Sequence, residues 1–371
     1  MRWILAIPIV VHGLIHLLGF AKAFGLAEMP ELRIPIARPV GLLWLAAAVS
    51  MLVTAAAFVA APGVWWMLAF GAVVVSQVVI VTSWSDARFG TLANLFVLLL
   101  AVHGLASQGP WSLAAEYRAA VRERLEPGAT VPADVTEDDL ESVPPPVQRY
   151  LRATGAVGEP RVESVRVRWS GRIRSAPDEA WMPFQAEQYL FTDEPARLFL
   201  MDARRTGLPV DVLHVYDRGR ARMDVRLLSM VPLVQQRGED LGRAETVTVF
   251  NDLCLLAPTA LLDPGIEWRT IDAHTVHARF TAGGHTVGAT LVFGSDGELV
   301  DFVSDDRARS TDTGLEPTPW STPVGDYVRV GPRRVIGRGE GRWHPDEGEF
   351  VYLELDLLAY EPNVHAQPGS R

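Results

Sequence analysis

Three histidines lie in apolar stretches near the N-terminus. His12 and His16 are four residues apart in the first stretch, and His103 lies in the last one. A spacing of four places two side chains on the same face of a helix. Imidazoles from two helices could ligate haem iron or another metal ion, or bind a quinone headgroup. The alternative, which we favour, is that each histidine hydrogen-bonds a neighbouring helix. We therefore predict no cofactor, and haem or a metal ion at these histidines is the competing hypothesis.

The sequence contains no motif that identifies an enzyme. It has no G-x-S-x-G nucleophile elbow, and its single cysteine, Cys254, lies in an apolar helical segment where a buried thiol is inert. His274 and His277 are three residues apart on a strand, so they face opposite sides and do not share a metal ion. A binding function therefore agrees with the sequence better than catalysis does.

Alternating apolar residues form the candidate walls of a ligand site. From residue 161 onward the hydrophobic period is two, as in VESVRVRWSGRIR, MPFQAEQYL, RARMDVRLL and FVYLELDLLAY. This period is typical of antiparallel strands with one buried face. If no cavity exists, the same residues form ordinary core. The predicted lining consists of Val165, Val167, Trp169, Phe184, Met223, Val225, Leu227, Phe250, Leu353 and Leu355.

A curved sheet is the element that would position these residues. We predict ten or eleven strands, a long loop over 310–323 and one long helix near 238–256. Many strands with one apolar face and a single covering helix describe an antiparallel, half-barrel-like sheet wrapped on that helix. In the strand GRGEGRW, alternation places Gly337, Gly339 and Gly341 on one face. Either a helix packs closely against that face or a ligand cavity has its wall there.

The charge distribution divides the chain into two parts. The 371 residues carry a net charge of −10, but residues 1–113 contain only eight charged side chains. The acidic excess therefore lies in the C-terminal part. This balance excludes a nucleic-acid binder that works by neutralising phosphates, and one cysteine excludes a disulfide scaffold.

The uncharged part predicts a membrane domain. Apolar stretches at about 3–24, 40–61, 64–83 and 92–107 are long enough, or nearly so, to cross a bilayer as helices. We therefore predict a multi-pass protein of the cell membrane. Lys22, Arg33 and Arg38 lie in the first loop, and the positive-inside rule favours that loop in the cytoplasm and the C-terminal domain outside it.

The predicted organisation is α+β with four segments. Residues 1–110 form a four-helix transmembrane bundle, and 111–143 form an amphipathic helix followed by an acidic linker. Residues 144–363 form the curved antiparallel β-domain, and 364–371 form a tail.

The β-domain resembles a known family. The segments that carry the likeness are PPPVQRYLRATGAVGEPRVESVRVRWSGRIR, AWMPFQAEQYLFT, LLAPTALLDPGIEW, TPWSTPVGDY and GRGEGRWHPDEGEFVYLELDLLAYEPN, within about 143–363. They are similar to a bacterial membrane-anchored family of unknown function. A weaker, fold-level likeness is to the half-barrels of lipoprotein carriers, which implies a curved sheet closed over helices around an apolar cavity.

These observations predict a membrane protein whose β-domain binds an apolar or amphipathic ligand such as a lipid. The expected partners are membrane lipids and a hydrophobic small molecule, with no nucleic acid and no identified protein partner. Two alternatives remain. One is a membrane redox, metal-binding or haem-binding protein that uses the intramembrane histidines. The other is a sensor whose β-domain binds proteins.

Overall fold

The structure is a computed structural model that describes residues 2–125, 132–311 and 314–365. Its contacts divide the chain into two compact units, Met1–Glu116 and Tyr117–Arg371. The first unit is helical, and the second contains the sheet. Of the predicted linker, residues 126–131 lie outside the described residues, as do 366–371 of the predicted tail.

Four helices of the first unit are long and apolar enough to cross a membrane, as predicted. Unlike the helices of a soluble bundle, these helices expose large apolar side chains, such as those of Ile4, Val74 and Leu99. Small residues lie between the helices, and Gly19 contacts the indole ring of Trp44 so closely that a Cβ would not fit. The helices are α1 (Arg2–Ala23), α2 (Arg38–Ala60), α3 (Trp65–Thr82), the single turn α4 (Trp84–Ala87) and α5 (Gly90–Gln108).

The sheet of the second unit is antiparallel and open, and its strand order is β6-β5-β4-β3-β2-β1-β16-β15-β13-β10-β9-β8-β7, with β14 paired to β15. The first strands are β1 (Ser164–Ile173), β2 (Met182–Phe191), β3 (Ala196–Arg205), β4 (Leu208–Asp217), β5 (Arg220–Leu227) and β6 (Val231–Arg237). The middle strands are β7 (Glu267–Thr270), β8 (Thr275–Ala282), β9 (His285–Phe293) and β10 (Leu299–Ser304). The last strands are β11 (Ala308–Thr311), β12 (Gly314–Pro317), β13 (Trp320–Ser321), β14 (Val324–Val330), β15 (Arg333–Trp343) and β16 (Phe350–Pro362).

Three further helices accompany the sheet. These are α6 (Leu113–Arg124), which begins in the first unit, α7 (Pro145–Ala153) and α8 (Glu239–Leu256), the long helix predicted near 238–256. Helix α8 is almost wholly buried and contacts β5 and β9, which lie in opposite halves of the sheet. The sheet therefore curves around α8, and the predicted wrapped, half-barrel-like sheet is confirmed.

The two halves of the sheet also meet at one end through their turns. Gly219, between β4 and β5, lies against Gly283, between β8 and β9, and a Cβ on either residue would collide with the backbone of the other. His285 Nε2 lies 3.2 Å from Gly219 O, and Tyr216 Oη lies 3.4 Å from Ala282 O. These side-chain contacts join the two halves of the sheet at that end, although no strands pair there.

The strand count differs from the prediction. The described residues form sixteen strands rather than ten or eleven. Three of the additional strands lie in the predicted loop over 310–323, which holds part of β11 and all of β12 and β13. β11 and β12 pair only with each other, and β13 contributes two residues between β10 and β15. Strands this short have too few residues to show alternation. Residues 312–313 lie outside the described residues.

Candidate functional site

A cavity of about 100 Å³ lies between the concave face of the sheet and α8. Four predicted lining residues, Trp169, Phe184, Leu353 and Leu355, are among its walls. They come from β1, β2 and β16, which are adjacent strands, and period-two alternation points their side chains inward. The other apolar residues of the lining are Phe199, Leu255, Leu256, Trp320, Pro323, Ile336 and Tyr352.

One part of the cavity wall is polar. Asp252 of α8 accepts hydrogen bonds at 2.7 Å from Arg197 Nε of β3 and from Gln188 Nε2 of β2. Thr248 and Asn251 of α8 also line this part. The cavity is thus amphipathic, because its lining combines aromatic and aliphatic side chains with a charged, hydrogen-bonded group.

The polar wall continues into a buried charged cluster. Glu245 lies one turn before Thr248 on α8, and its Oε1 atom is 2.8 Å from Arg307 Nη1. His214 Nε2 of β4 lies 3.2 Å from Glu245 Oε2. Burial alone would raise the pKa of the Glu245 carboxyl, but the positive charges of Arg307 and Arg197 outweigh burial, so its pKa is lowered. Glu245 is therefore a buried carboxylate at neutral pH.

His214 is held neutral in this cluster. Burial lowers the pKa of its imidazole to about 4, against a smaller raising effect from Glu245. Arg197 Nη1 lies 3.3 Å from His214 Nδ1. Because a guanidinium only donates, Nδ1 must accept, and the ring proton therefore sits on Nε2, which faces Glu245.

Arg307 connects the charged cluster to the aromatic wall. Its guanidinium lies 5.3 Å from the ring of Trp320 and 5.6 Å from that of Trp343. Trp320 Nε1 donates to Tyr352 Oη at 3.2 Å. These contacts hold the indole and phenol rings at fixed positions beside the cavity.

The other six predicted lining residues lie outside the cavity. Val165 and Val167 are fully buried core, and Phe250 stacks on Phe280 at 4.7 Å. Three residues of β5 are half-buried on the inner face of the sheet; these are Met223, Val225 and Leu227. The register pairs Phe199 with His214 and His214 with Met223, so this row continues the concave surface beyond the cavity.

The three glycines of β15 do not share one face, contrary to the alternation of the sequence. Asp326 of β14 pairs with Arg338 and Tyr327 pairs with Ile336, so Gly337 forms a bulge without a partner on β14. A Cβ on Gly337 would meet the exposed Asp326, whereas one on Gly339 would meet Ile336 and Leu355. Only Gly339 of the three lines the cavity.

Two of the three histidines of the helical unit, His12 and His16, are hydrogen-bonded between helices. His12 Nε2 lies 2.9 Å from Asn94 Oδ1 of α5, and His16 Nε2 lies 2.8 Å from Ser76 Oγ of α3. His103 lies nine residues after Asn94 on α5, or about 14 Å along the helix axis. Among the described residues, no three His, Cys, Asp or Glu side chains form a metal-binding group.

A serine, a histidine and a glutamate meet outside the cavity. Ser321 Oγ lies 2.8 Å from His344 Nε2, and His344 Nδ1 lies 3.4 Å from Glu349 Oε2. These distances suit proton transfer. Ser321 is nevertheless only 2% exposed, in a strand between β10 and β15, so its hydroxyl is closed to a substrate.

The charged half of the site was not predicted from the sequence. One signal was present, because Glu245 and Asp252 are seven residues apart and are the only charged residues within 244–256 of the helix. That spacing places two carboxylates on one helix face, and buried carboxylates require cations or water as partners. The partner arginines, Arg197 and Arg307, carry no comparable signal, since arginines are ordinarily solvent-facing.

Three solved structures are similar to the chain in fold alone. A DUF1329 family protein from Desulfovibrio piger has 12% identity and a TM-score of 0.36 over 63% of this chain and 96% of that one. A putative outer membrane lipoprotein-sorting protein domain from Vibrio parahaemolyticus has 8% identity and a TM-score of 0.34 over 63% and 94%. A LolA superfamily protein from Nitrosomonas europaea has 11% identity and a TM-score of 0.33 over 64% and 96%.

A search of curated proteins finds no match. A comparison with protein families agrees with the resemblance seen in the sequence. The family described as "Family of unknown function (DUF6544)" matches residues 133–355, which is more than half of the chain, and the chain therefore belongs to this family.

Proposed function

We propose that the β-domain binds a small amphipathic ligand, such as part of a lipid, in the cavity beside α8. The observation that supports this proposal is the amphipathic lining. Trp169, Phe184 and Leu355 offer apolar contact, and Arg197 and Asp252 bring charged hydrogen-bonding groups to the same cavity. A pocket that is mainly apolar with a few convergent polar groups is the usual form of a small-molecule site.

The volume of the cavity limits what it holds. Sites for drug-sized ligands measure roughly 300–1,000 Å³, whereas this cavity measures about 100 Å³. A short apolar group fits without rearrangement, and a longer chain has to extend along the concave surface. The half-buried row of Met223, Val225 and Leu227 is the proposed continuation for such a chain.

We further propose that the helices within 1–110 anchor this domain in the cell membrane as a multi-pass bundle. Their length and composition support membrane association. Lys22, Arg33 and Arg38 support a cytoplasmic first loop and an extracytoplasmic β-domain by the positive-inside rule. A ligand drawn from the bilayer would then be abundant near the domain.

Photo-crosslinking tests the proposed ligand site. The full chain is reconstituted in nanodiscs with a diazirine-labelled fatty acid, and crosslinked peptides are mapped by mass spectrometry. We expect crosslinks on β1, β16 and α8, and we expect Leu355→Trp to remove them because the indole fills the cavity.

The matched control is Leu358→Trp, at an exposed position of the same strand, which should leave the crosslinks intact. Crosslinks confined to α1, α2, α3 and α5 in the wild-type chain would contradict the proposal, because they would show lipid around the bundle and none in the β-domain.

A further inference from the structure

Exposed apolar side chains cluster at one end of the outermost strands. Leu208, Met230, Val231 and Leu233 are each between 45% and 50% exposed. Leu208 is the first residue of β4, Met230 lies on the turn between β5 and β6, and Val231 and Leu233 belong to the start of β6. We call residues 204–208, which are the turn between β3 and β4 with its flanking strand ends, together with residues 228–233, which are the turn between β5 and β6 and the start of β6, the β3–β6 tip.

The strand register brings these residues together. Arg205 pairs with Leu208 across the first turn, and Leu227 pairs with Val231 across the second. Leu228 N donates to Pro209 O at 2.8 Å, which joins the two turns. The apolar side chains therefore form one surface rather than scattered exposed residues, and a continuous apolar surface marks an interaction site.

The second turn has a strained backbone. Leu228 and Ser229 have φ values of 55° and 62°, in the left-handed region that glycine or asparagine usually occupies. Met230 N donates to Leu227 O at 3.1 Å across the turn. A bulky leucine in this conformation is unfavourable, and such strain is concentrated at functional sites.

The charges at the tip differ from those of the domain around it. Arg204 and Arg205 are exposed beside Leu208, in a chain whose net charge is −10. Asp202 is the nearest acidic residue on β3, and Arg226 pairs with Asp211 across the ladder. Two adjacent exposed arginines next to apolar side chains suit a surface of anionic lipid headgroups over acyl chains.

A second copy of the chain fits this edge less well than a bilayer does. Pro232 has no N–H to donate in the edge strand β6, and the pairing of β5 with β6 shifts register between Val225 and Arg226. Proline and bulges at an edge oppose strand addition. The four apolar helices of the chain are long enough to cross a membrane, so a bilayer is also a surface available for docking.

We propose that the β3–β6 tip docks onto an anionic lipid bilayer, with Met230 and Val231 entering the interface and Arg204 and Arg205 contacting headgroup phosphates. The residues of the tip are not among those that line the cavity beside α8, although Val231 pairs with Leu227 of the proposed continuation of that site. A label at Met230 reports docking and crosslinks in the cavity report the ligand site, so the two proposals are tested separately.

The test uses the full chain in nanodiscs made of phosphatidylcholine and phosphatidylglycerol in equal amounts. Met230→Cys is labelled with a polarity-sensitive fluorophore, and the wild-type chain, whose only thiol is buried in Cys254, gives the labelling background. We expect blue-shifted emission that brominated lipids quench by about half, since an interfacial side chain reaches the acyl boundary. Arg204→Glu with Arg205→Glu, or nanodiscs of phosphatidylcholine alone, should abolish the quenching.

The control is Asp193→Cys on the turn between β2 and β3, an exposed site at the other end of the strands, where the label should stay unquenched. A Met230→Cys label that brominated lipids leave unquenched in anionic nanodiscs overturns the proposal. A blue shift without lipid quenching that grows with protein concentration also overturns it, because it would identify a second copy as the occupant.

Discussion

The protein contains two buried polar networks in two different surroundings. The bundle network is made of His12, His16, Ser76 and Asn94, on three helices of the first unit. Its members are uncharged polar groups or imidazoles, and it joins helices whose outer faces are apolar. Such hydrogen bonds between membrane helices replace contacts that water would otherwise provide.

The α8 network of the second unit is charged. It contains Glu245 and Asp252 of α8, with His214, Arg197 and Arg307 from the surrounding sheet and the segment that follows β10. Its two carboxylates and two guanidinium groups balance each other. Part of it lines the cavity, whereas no carboxylate or guanidinium occurs among the bundle contacts named above.

The two networks are suited to different tasks. Neutral hydrogen bonds hold helices together at small cost, because an uncharged polar group is less costly to bury than a charge. Buried charges are costly to desolvate and often add no net stability, so their retention calls for another reason. A charged group beside the cavity agrees with the proposed recognition of a polar ligand group.

We expect the largest effect on stability from a substitution that removes one charge from the α8 network. Arg307→Met keeps the apolar stem over Trp320 but leaves Glu245 without its cation, and we expect a loss of about 3–5 kcal/mol in the free energy of unfolding. Chemical denaturation of the detergent-solubilised chain, followed by circular dichroism, measures it.

The matched control for this change is an ion pair at the surface. Arg338 Nε lies 2.7 Å from Asp356 Oδ1, and both side chains are exposed. Arg338→Met should cost about 0–1 kcal/mol. Equal costs for the two substitutions would show that water screens the α8 network, and the contrast between the two networks would then fail.

The next effect is a dependence of stability on pH. The pKa of His214 is lowered to about 4 in the folded protein, from 6.5 for an unperturbed histidine. Between these values the unfolded chain binds the proton and the folded one does not, so stability is lost as the pH falls from 6.5 to 4. At about 1.4 kcal/mol per pKa unit, the loss is about 3 kcal/mol.

Substitution of His214 separates the contribution of its imidazole to the pH dependence of stability from that of the carboxyl groups. The pKa of Glu245 is also lowered, from a usual value of 4.5, so it adds its own loss only below about that pH. His214→Gln should therefore flatten the stability curve above pH 4.5. His274→Gln, at an exposed position just before β8, should leave the curve unchanged. If His214→Gln keeps the wild-type slope, the imidazole is not held neutral.

The sequence predicted the elements better than the site they form. Alternation in β1, β2 and β16 identified four residues of the cavity, and helical spacing identified α8. In β3, ARLFLMDARR, both faces carry apolar residues, so alternation does not show that Arg197 points inward. The outer face is buried too, since Leu198 is almost fully covered.

Tertiary contacts determine the features that were missed. The bulge at Gly337 depends on the pairing of β14 with β15, and one extra residue reverses the face of every residue after it. Arg307 reaches Glu245 from a segment 62 residues away in the chain, and no local pattern reports such a contact. The same holds for His12 and Asn94, whose spacing of 82 residues gives no indication of their hydrogen bond.

The smallest expected effect concerns the bundle network. Asn94 Oδ1 lies near His12 Nε2 and accepts from Ser76 Oγ at 2.9 Å, so Asn94→Leu removes the group that joins α5 to α1 and α3. We expect a loss of about 1 kcal/mol, because hydrogen bonds between membrane helices are worth about 0.6–2 kcal/mol. Ser50→Ala is the control, since Ser50 Oγ donates to Ala47 O within its own helix and joins no neighbour. Thermal unfolding in detergent measures both variants. A loss of stability for Asn94→Leu as large as that for Arg307→Met would mean that the bundle network carries charge. That result would favour the metal or redox hypothesis for His12 and His16 over interhelical hydrogen bonding.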